Sequence, residues 1–217
     1  MLEIVSWGAG HSLLDYETAW QMQQELHYQV AHNLAPASLV LVEHKPIFTA
    51  GSQTQVTDRP IDGSKVIDVD RGGRITWHGP GQLVGYPIVP LKERYNVVGF
   101  VRALESGLIA TCAEFGLRVD RIKGKSGVWV MGPTPRKVAA IGIRVAKGVS
   151  MHGFALNCNP DLTWFDRIVP CGIPDAEVTS LSKELDRDVS VTDVIPVITE
   201  KLVPAITASI SQEIKVG

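Results

Sequence analysis

The chain is organised around one glycine-rich stretch, Arg71-Gly72-Gly73-Arg74-Ile75-Thr76-Trp77-His78-Gly79-Pro80-Gly81-Gln82. Glycines at this density let main-chain amides approach a ligand, while Pro80 fixes one φ angle and removes one N–H donor. The stretch therefore predicts a pocket lined by backbone. It is not a nucleotide loop, because it matches neither Gly-x-x-x-x-Gly-Lys-Ser/Thr nor Gly-x-Gly-x-x-Gly.

A second stretch, Val169-Pro170-Cys171-Gly172-Ile173, carries a candidate nucleophile. Cys171 lies between a proline and a glycine, two residues that interrupt regular structure, so its thiol is expected at a bend on a cavity wall. Cys112 and Cys158 fall on a predicted helix face and at a predicted strand end, where a structural role is expected. On pattern alone, Cys171 can be a functional thiol or an inert one.

A nucleophilic thiol needs a cation or a base beside it, because a cysteine of ordinary pKa, about 8.5, is mostly protonated at neutral pH. Lys137 opens the otherwise apolar run 137–143, where it is either desolvated or extends its ammonium into water. His78 and His152 each precede a glycine and are either bases or ligand donors, or packed side chains. No His, Cys or carboxylate grouping has the spacing of a metal site, so none is expected.

The composition is that of an ordinary globular protein: 217 residues, 45% hydrophobic and 20% charged. We expect one domain over residues 1–217. The formal net charge of −2 argues against nucleic acid as the main partner. Three widely spaced cysteines, no signal peptide and no apolar run of about 20 residues predict a cytoplasmic protein without a membrane span.

Basic residues are concentrated between positions 118 and 147, where Asp120 is the one acidic residue. This basic stretch either steers an acidic protein partner toward the site or forms a solvated face. Its members are Arg118, Arg121, Lys123, Lys125, Arg136, Lys137, Arg144 and Lys147.

Hydrophobic periodicity predicts both helices and strands. Helices are expected over 15–34, with Ala19, Met22, Leu26 and Val30 on its apolar face, over 100–115 with Gly116 as C-cap, over 178–185, and from a capping box at Ser190 toward Ile210. Strands are expected over 2–6, 38–42, 47–51, 66–69, 83–91, 128–130, 138–145 and 149–157, with a surface loop over 53–64 and a hairpin turn at 146–148.

Two details of this prediction concern strand ends and edges. The polar residues 43–46 are expected to end the strand at 38–42. Pro87 and Pro90 favour an edge position for the strand at 83–91. Strands and helices interleave without strict βαβ alternation, so the predicted fold is α/β of the α+β type, a single domain with a mixed β-sheet flanked by helices.

The chain resembles the lipoyl(octanoyl) transferases over residues 43–181. The resemblance is carried by the Arg71–Gln82 stretch, Tyr86-Pro87-Ile88, Gly127-Val128-Trp129, Lys137-Val138-Ala139-Ala140-Ile141-Gly142-Ile143, His152-Gly153-Phe154-Ala155-Leu156-Asn157 and Ile168-Val169-Pro170-Cys171-Gly172-Ile173. It implies the fold of the biotin and lipoate protein ligase catalytic domains.

The implied activity is transfer of an octanoyl (or lipoyl) group from acyl carrier protein to a lysine amine of lipoyl domains, through a cysteine thioester. The implied acceptors are the lipoyl domains of 2-oxoacid dehydrogenase complexes and the glycine cleavage H protein. Exchange between thioesters is nearly isoenergetic, so no cofactor and no ATP are expected. The chain is expected to act as a monomer.

The resemblance also implies the site residues. Cys171 would be the nucleophile, and Lys137 would activate it and move protons. The acyl pocket would be lined by Arg71, Gly72, Gly73, Arg74, Ile75, Thr76, Trp77, His78, Ala140, Ile141, Gly142, Gly153, Phe154 and Ala155.

Two other functions compete with acyl transfer. An ATP-dependent lipoate or biotin ligase would share the fold and the pocket lysine, but the chain has no clear equivalent of a Gly-Arg-Gly-Arg nucleotide loop. A non-catalytic acyl-binding module would not depend on Cys171.

Overall fold

A computed structural model describes residues 2–92, 96–168 and 177–210. The strands are β1 Glu3–Ser6, β2 Leu13–Leu14, β3 Ser38–His44, β4 Ile47–Ala50, β5 Val66–Asp68, β6 Thr76–His78, β7 Gln82–Ile88, β8 Asp120–Ile122, β9 Lys125–Val130, β10 Arg136–Ala146, β11 Val149–Asn157 and β12 Glu177–Val178. The α-helices are α1 Tyr16–Ala31, α2 Val97–Glu114, α3 Leu181–Leu185 and α4 Val191–Ser209, and short 3-10 helices span Val56–Asp58 and Leu162–Arg167.

The larger sheet is mixed and runs in the order β1-β3-β7-β11-β10-β9-β8 across the described residues. β1 pairs in parallel with β3, whereas β3-β7, β7-β11, β11-β10 and β10-β9 are antiparallel. β12 pairs in parallel with the start of β10, opposite Arg136 and Lys137. The predicted mixed sheet is therefore present.

The glycine-rich stretch contributes a strand that its glycines obscure in the sequence. β6 pairs with β4, with Ile47 opposite His78 and Thr49 opposite Thr76. β4 also pairs with β5, giving a second sheet in the order β5-β4-β6. The space between the two sheets holds the candidate site.

Helices cover both faces of the larger sheet. α2 and α4 belong to the main hydrophobic core, in which Val194, Ile198, Leu202 and Ile206 recur at helical spacing and are fully buried. That apolar face continues through Pro196 and Pro204, so α4 runs to Ser209. α1 packs on the opposite face, with Val30 and Ala31 against strand residues of β3 and β7.

The buried face of α1 differs from the predicted one. Ala19 and Val30 are buried as expected, but Met22 is 39% exposed, whereas Gln23 and His27 are buried. The polar pair is buried because each side chain finds a main-chain partner: Gln23 Oε1 accepts from the His152 N–H, and His27 Nε2 contacts the Ala146 carbonyl at 3.1 Å.

The predicted end of β3 is wrong. The strand continues through Glu43 and His44, which are 8% and 0% exposed. The Glu43 carboxylate accepts the backbone N–H of Gly10 at 2.8 Å and that of Gly81 at 2.9 Å. A carboxylate satisfied in this way can lie inside, because buried charge is tolerated when it is hydrogen-bonded.

The edge position predicted for the strand at 83–91 is also wrong. β7 lies between β3 and β11. Its pairing with β11 stops at Gly85, before Pro87 would have to donate. Beyond that point the Ser150 hydroxyl takes over, donating to the Pro87 carbonyl at 2.6 Å and accepting the Val89 N–H at 3.1 Å.

The predicted turns and caps are confirmed. Lys147 and Gly148 have φ of 51° and 77° in the β10-β11 hairpin, and Gly116, φ 87°, follows α2. The capping box at the start of α4 has Ser190 and Asp193 in reciprocal hydrogen bonds.

Candidate active site

A cavity of about 230 Å³ lies between the larger sheet, the loop before β6 and the start of α1. Apolar walls come from Val84, Ala140, Ile141, Phe154 and Ala155. Its remaining lining residues are Tyr16, Gln53, Arg71, Gly73, Arg74, Thr76, His78, Tyr86, Gly124, Lys125, Ser126, Lys137, Gly142, His152 and Gly153. The structure thus brings most predicted pocket residues to one cavity.

Three residues predicted for the pocket lie outside its lining. Ile75 and Trp77 are 0% and 1% exposed in a separate cluster with Phe48 and Phe165. Successive side chains of a strand point to opposite faces, so Thr76 and His78 face the cavity and their neighbours do not. These two assignments are corrected.

Gly72, the third, fixes the loop instead of lining the cavity. Its N–H donates to the Ile143 carbonyl of β10 at 3.1 Å. A Cβ at Gly142 would come within 2.9 Å of the Gly72 carbonyl oxygen, so the loop rests directly on a glycine of the sheet.

Arg71 holds the same loop together from inside. Its guanidinium donates to the carbonyls of Gly72, Arg74 and Thr49 at 3.0, 2.8 and 2.8 Å, and to the Thr49 hydroxyl at 3.1 Å. The residue is 8% exposed. Arg71 therefore shapes the cavity wall by organising backbone.

Lys137 is buried at the start of β10, with 7% of its surface exposed. Its Nζ lies 4.5 Å from the centroid of the Trp129 ring, and its carbonyl accepts the Thr179 N–H at 2.9 Å. Of the two alternatives left by the sequence, the buried one is correct. The side chain lines the cavity.

The predicted nucleophile Cys171, and the bend expected at 169–173, lie outside the described residues. The other two cysteines are 0% exposed. Burial raises the pKa of Cys112 to about 12 and that of Cys158 well above its usual range. Both thiols are therefore protonated at neutral pH, in accord with the structural role expected of them.

Two histidines in edge-to-face contact are neutral: His78, which lines the cavity, and His44, which lies outside the lining. His78 Nδ1–H donates to Gln82 Oε1 at 2.7 Å, and burial lowers its pKa to about 3, with His44 adding to the effect. Burial lowers the pKa of His44 to about 4. His44 Nε2 accepts from the Tyr86 hydroxyl at 2.7 Å, and its Nδ1–H donates to the Leu14 carbonyl at 3.2 Å.

His152 contributes a third neutral imidazole. Its backbone adopts φ 57°, and burial lowers the pKa of the side chain to about 3. Nε2–H donates to Asp70 Oδ1 at 2.7 Å, and Asp70 also pairs with Arg144. Nδ1 has no hydrogen-bond partner within the part of the chain that the structure describes.

Sequence reasoning missed several lining residues. Tyr16, Gln53, Val84, Gly124 and Ser126 carried no motif that pointed to a ligand. Tyr86 lies inside a resemblance motif and was a detectable candidate. Over residues 2–92, 96–168 and 177–210, no group of three His, Cys, Asp or Glu could hold a metal ion.

The basic stretch is partly neutralised within the chain. Arg121 Nε lies 3.0 Å from the buried Glu105 carboxylate, Arg136 forms two hydrogen bonds with Glu184, and Arg144 pairs with Asp70. The stretch is thus not one continuous unpaired surface. Among the described helices, none is long and apolar enough to cross a membrane.

Comparisons with known proteins find relatives of this chain. A family model described as the lipoyl protein ligase A/B catalytic domain matches residues 15–203. The octanoyltransferase of Acidothermus cellulolyticus is 56% identical over 201 residues, covering 90% of this chain and 91% of the relative. The octanoyltransferase of Salinispora arenicola is 58% identical over 193 residues, covering 87% of this chain and 90% of the relative.

Solved structures share the fold at low identity. A bipartite lipoate protein ligase from Thermoplasma acidophilum aligns with a TM-score of 0.67 and 14% identity, covering 98% of this chain and 85% of that one. A lipoate-protein ligase A bound with ATP aligns with a TM-score of 0.67 and 14% identity, covering 98% of this chain and 87% of that one. The biotin protein ligase of Aquifex aeolicus aligns with a TM-score of 0.57 and 15% identity, covering 98% of this chain and 74% of that one. The predicted fold class is confirmed.

Proposed function

The chain belongs to the family of lipoyl protein ligase A/B catalytic domains and is an acyltransferase that transfers octanoyl groups, and from this premise we propose its donor, acceptor and catalytic residues. The donor is octanoyl-acyl carrier protein. The acceptor is a lysine of a lipoyl domain, in 2-oxoacid dehydrogenase complexes or the glycine cleavage H protein. The chain acts as a monomer, without cofactor.

Cys171 is the proposed nucleophile, and covalent distance supports it. Cys171 is three residues beyond Ile168, so its Cα lies within roughly 11 Å of the Ile168 Cα. On the other side, the described chain resumes at Glu177 and Val178, which pair with Arg136 and Lys137. The segment that carries Cys171 thus starts from Ile168, in the cluster that holds Trp77, and ends at β12, which pairs with the cavity residue Lys137.

The observation that carries the proposal is the buried Lys137 at the wall of a cavity that also has an apolar wall, formed by Val84, Ala140, Ile141, Phe154 and Ala155. An ammonium beside a thiol favours the thiolate, and a desolvated lysine can also exchange protons. Val84, Ile141 and Phe154 offer apolar surface to a fatty chain, at about 0.8 kcal/mol for each buried methylene.

The proposed reaction has two steps. The Cys171 thiolate attacks the donor carbonyl, a C–S bond to the enzyme forms, the C–S bond to the carrier breaks, and the carrier thiolate takes a proton from the Lys137 ammonium, which leaves Lys137 neutral. The acceptor amine then attacks the acyl-enzyme. A C–N bond forms, the enzyme C–S bond breaks, and the amine proton passes to Lys137, leaving an amide.

Exposure to octanoyl-acyl carrier protein without ATP tests this proposal. We expect an octanoyl adduct on Cys171, located by intact mass and peptide mapping, which then transfers to a lipoyl domain. Cys171→Ser should lose at least about 10³-fold in kcat/KM, while Cys112→Ser, a matched control in the core, should still form the adduct. An absolute ATP requirement, or an adduct on Cys112 or Cys158, would contradict the proposal.

A further inference from the structure

The cavity has an open and a closed end. Gln53, Gly124 and Ser126 are exposed at the open end, whereas Tyr16 and Val84 are 3% and 1% exposed. Ser126 is on β9 and Val84 on β7, three strands apart in the order β9-β10-β11-β7. Strands are spaced about 4.8 Å apart, so the two ends are separated by about 14 Å.

Tyr16 presents a hydroxyl at the closed end. Its ring stacks on His78 at 5.8 Å and contacts His44 at 5.1 Å, and both imidazoles already have their own hydrogen-bond partners. In the described parts of the chain, the Tyr16 hydroxyl has no such partner. Burial raises the pKa of Tyr16 to about 12, so the phenol keeps its proton and can donate.

We propose that the Tyr16 hydroxyl is a polar subsite at the closed end of the acyl cavity, which limits chain length and favours an acyl chain whose far end accepts a hydrogen bond. The inference rests on the proposed function, since it concerns the acyl group of that reaction. The ligand class is a medium-length acyl chain with a terminal hydroxyl.

The reason is a balance of two free energies. Burying one more methylene contributes about 0.8 kcal/mol, but leaving a buried hydroxyl without a partner costs about 1–3 kcal/mol. For an apolar chain that reaches Tyr16, the free-energy cost of the unpartnered hydroxyl therefore exceeds the gain from burying one more methylene. A chain that ends in a hydroxyl exchanges its hydrogen bond to water for one to the phenol, so neither hydroxyl is left without a partner.

Two donors with equal numbers of heavy atoms test this inference: nonanoyl and 8-hydroxyoctanoyl thioesters of the carrier protein. They differ by a terminal methyl against a hydroxyl. For the wild type we expect kcat/KM to favour 8-hydroxyoctanoyl by about tenfold, the equivalent of about 1.4 kcal/mol. Tyr16→Phe should reverse the preference. Tyr28→Phe, the same change at a 52% exposed position of α1, should keep the wild-type ratio.

The outcomes distinguish a failure of the Tyr16 subsite from a failure of the proposed function. A wild-type enzyme that prefers nonanoyl overturns the subsite, whatever the variant does. An equal loss with both donors in Tyr16→Phe also overturns it, because that pattern indicates a structural role. Absence of transfer from every donor, octanoyl included, would instead overturn the proposed function.

Discussion

The structure fixes both the main chain and the side-chain amine of Lys137. Its main chain is fixed by pairing with Trp129 on one side and with Val178 on the other, and its Nζ lies over the Trp129 ring. The face of an aromatic ring attracts a cation, so the Lys137 amine is buried against a favourable partner. This placement suits the activating role proposed for Lys137.

Two substitutions of Lys137 distinguish the effect of its positive charge on Cys171 from its role in proton transfer. Lys137→Ala should lower kcat by about 10²–10⁴-fold, the range of general acid–base contributions. It should also move the pH profile of Cys171 alkylation by iodoacetamide to higher pH. Lys137→Arg keeps a cation that cannot release its proton, so it should restore the alkylation profile but not turnover.

The control for this experiment is Lys147→Ala, at the exposed hairpin turn, which should leave both the alkylation profile and kcat unchanged. An alkylation profile that Lys137→Ala does not shift would remove Lys137 from the activating role. Restored turnover in Lys137→Arg would remove it from proton transfer.

The sequence predicted which residues could take part in the reaction better than it predicted the direction in which their side chains point. Residue type and motif singled out Lys137, but its burial depends on β12, which packs beside it from a distant part of the chain. Ile75 and Trp77 were assigned to the pocket because the glycines hid the alternation of β6. Tyr16 gave no signal, since one aromatic residue in the first turn of a helix is ordinary.

At the scale of elements, the sequence predicted most helices and strands but not their neighbours in the sheet. Pro87 correctly indicated a place where the ladder cannot be continuous. It did not indicate an edge, because β11 leaves its regular course at His152, φ 57°, and Ser150 supplies the missing hydrogen bonds. Compensation of this kind comes from a residue more than sixty positions away, and local pattern cannot show it.

Ser150→Ala tests that account of β7. The Val89 N–H would lose the Ser150 hydroxyl that accepts it in the buried centre of the sheet. We expect a loss of about 1–3 kcal/mol in the free energy of unfolding. Urea denaturation at neutral pH measures it.

Ser106→Ala, an exposed serine of α2, serves as the control and should change the free energy of unfolding by less than about 0.5 kcal/mol. If the two variants unfold at the same urea concentration, Ser150 does not compensate for Pro87.

At the scale of the whole molecule, buried polar side chains join the two sheets. His78 of the smaller sheet donates to Gln82 at the start of β7, and Gln82 donates to Asn157 of β11 at 2.8 Å. Asn157 in turn donates to the Thr179 carbonyl at 2.8 Å. The cavity thus lies over a hydrogen-bonded layer in which His78 is neutral, and protonation of such a layer should loosen the whole fold.

The pH dependence of stability follows from His44, His78 and His152. Their pKa values are about 4, 3 and 3 in the folded chain, against 6.5 in the unfolded chain. Below pH 6.5 the unfolded chain binds protons that the folded chain does not, so stability is complete above 6.5 and is lost as pH falls. Each histidine should remove up to about 1.4 kcal/mol per pH unit. Urea midpoints between pH 7 and 4.5 measure the slope.

His44→Gln isolates one of these contributions, because an amide can still contact Leu14 and Tyr86 but does not titrate. The variant is expected to be less stable than the wild type at pH 7, yet its stability should fall less steeply toward pH 4.5. His11→Gln, at an exposed position, should keep the wild-type slope. A His44→Gln slope equal to that of the wild type would mean that His44 does not contribute to acid unfolding.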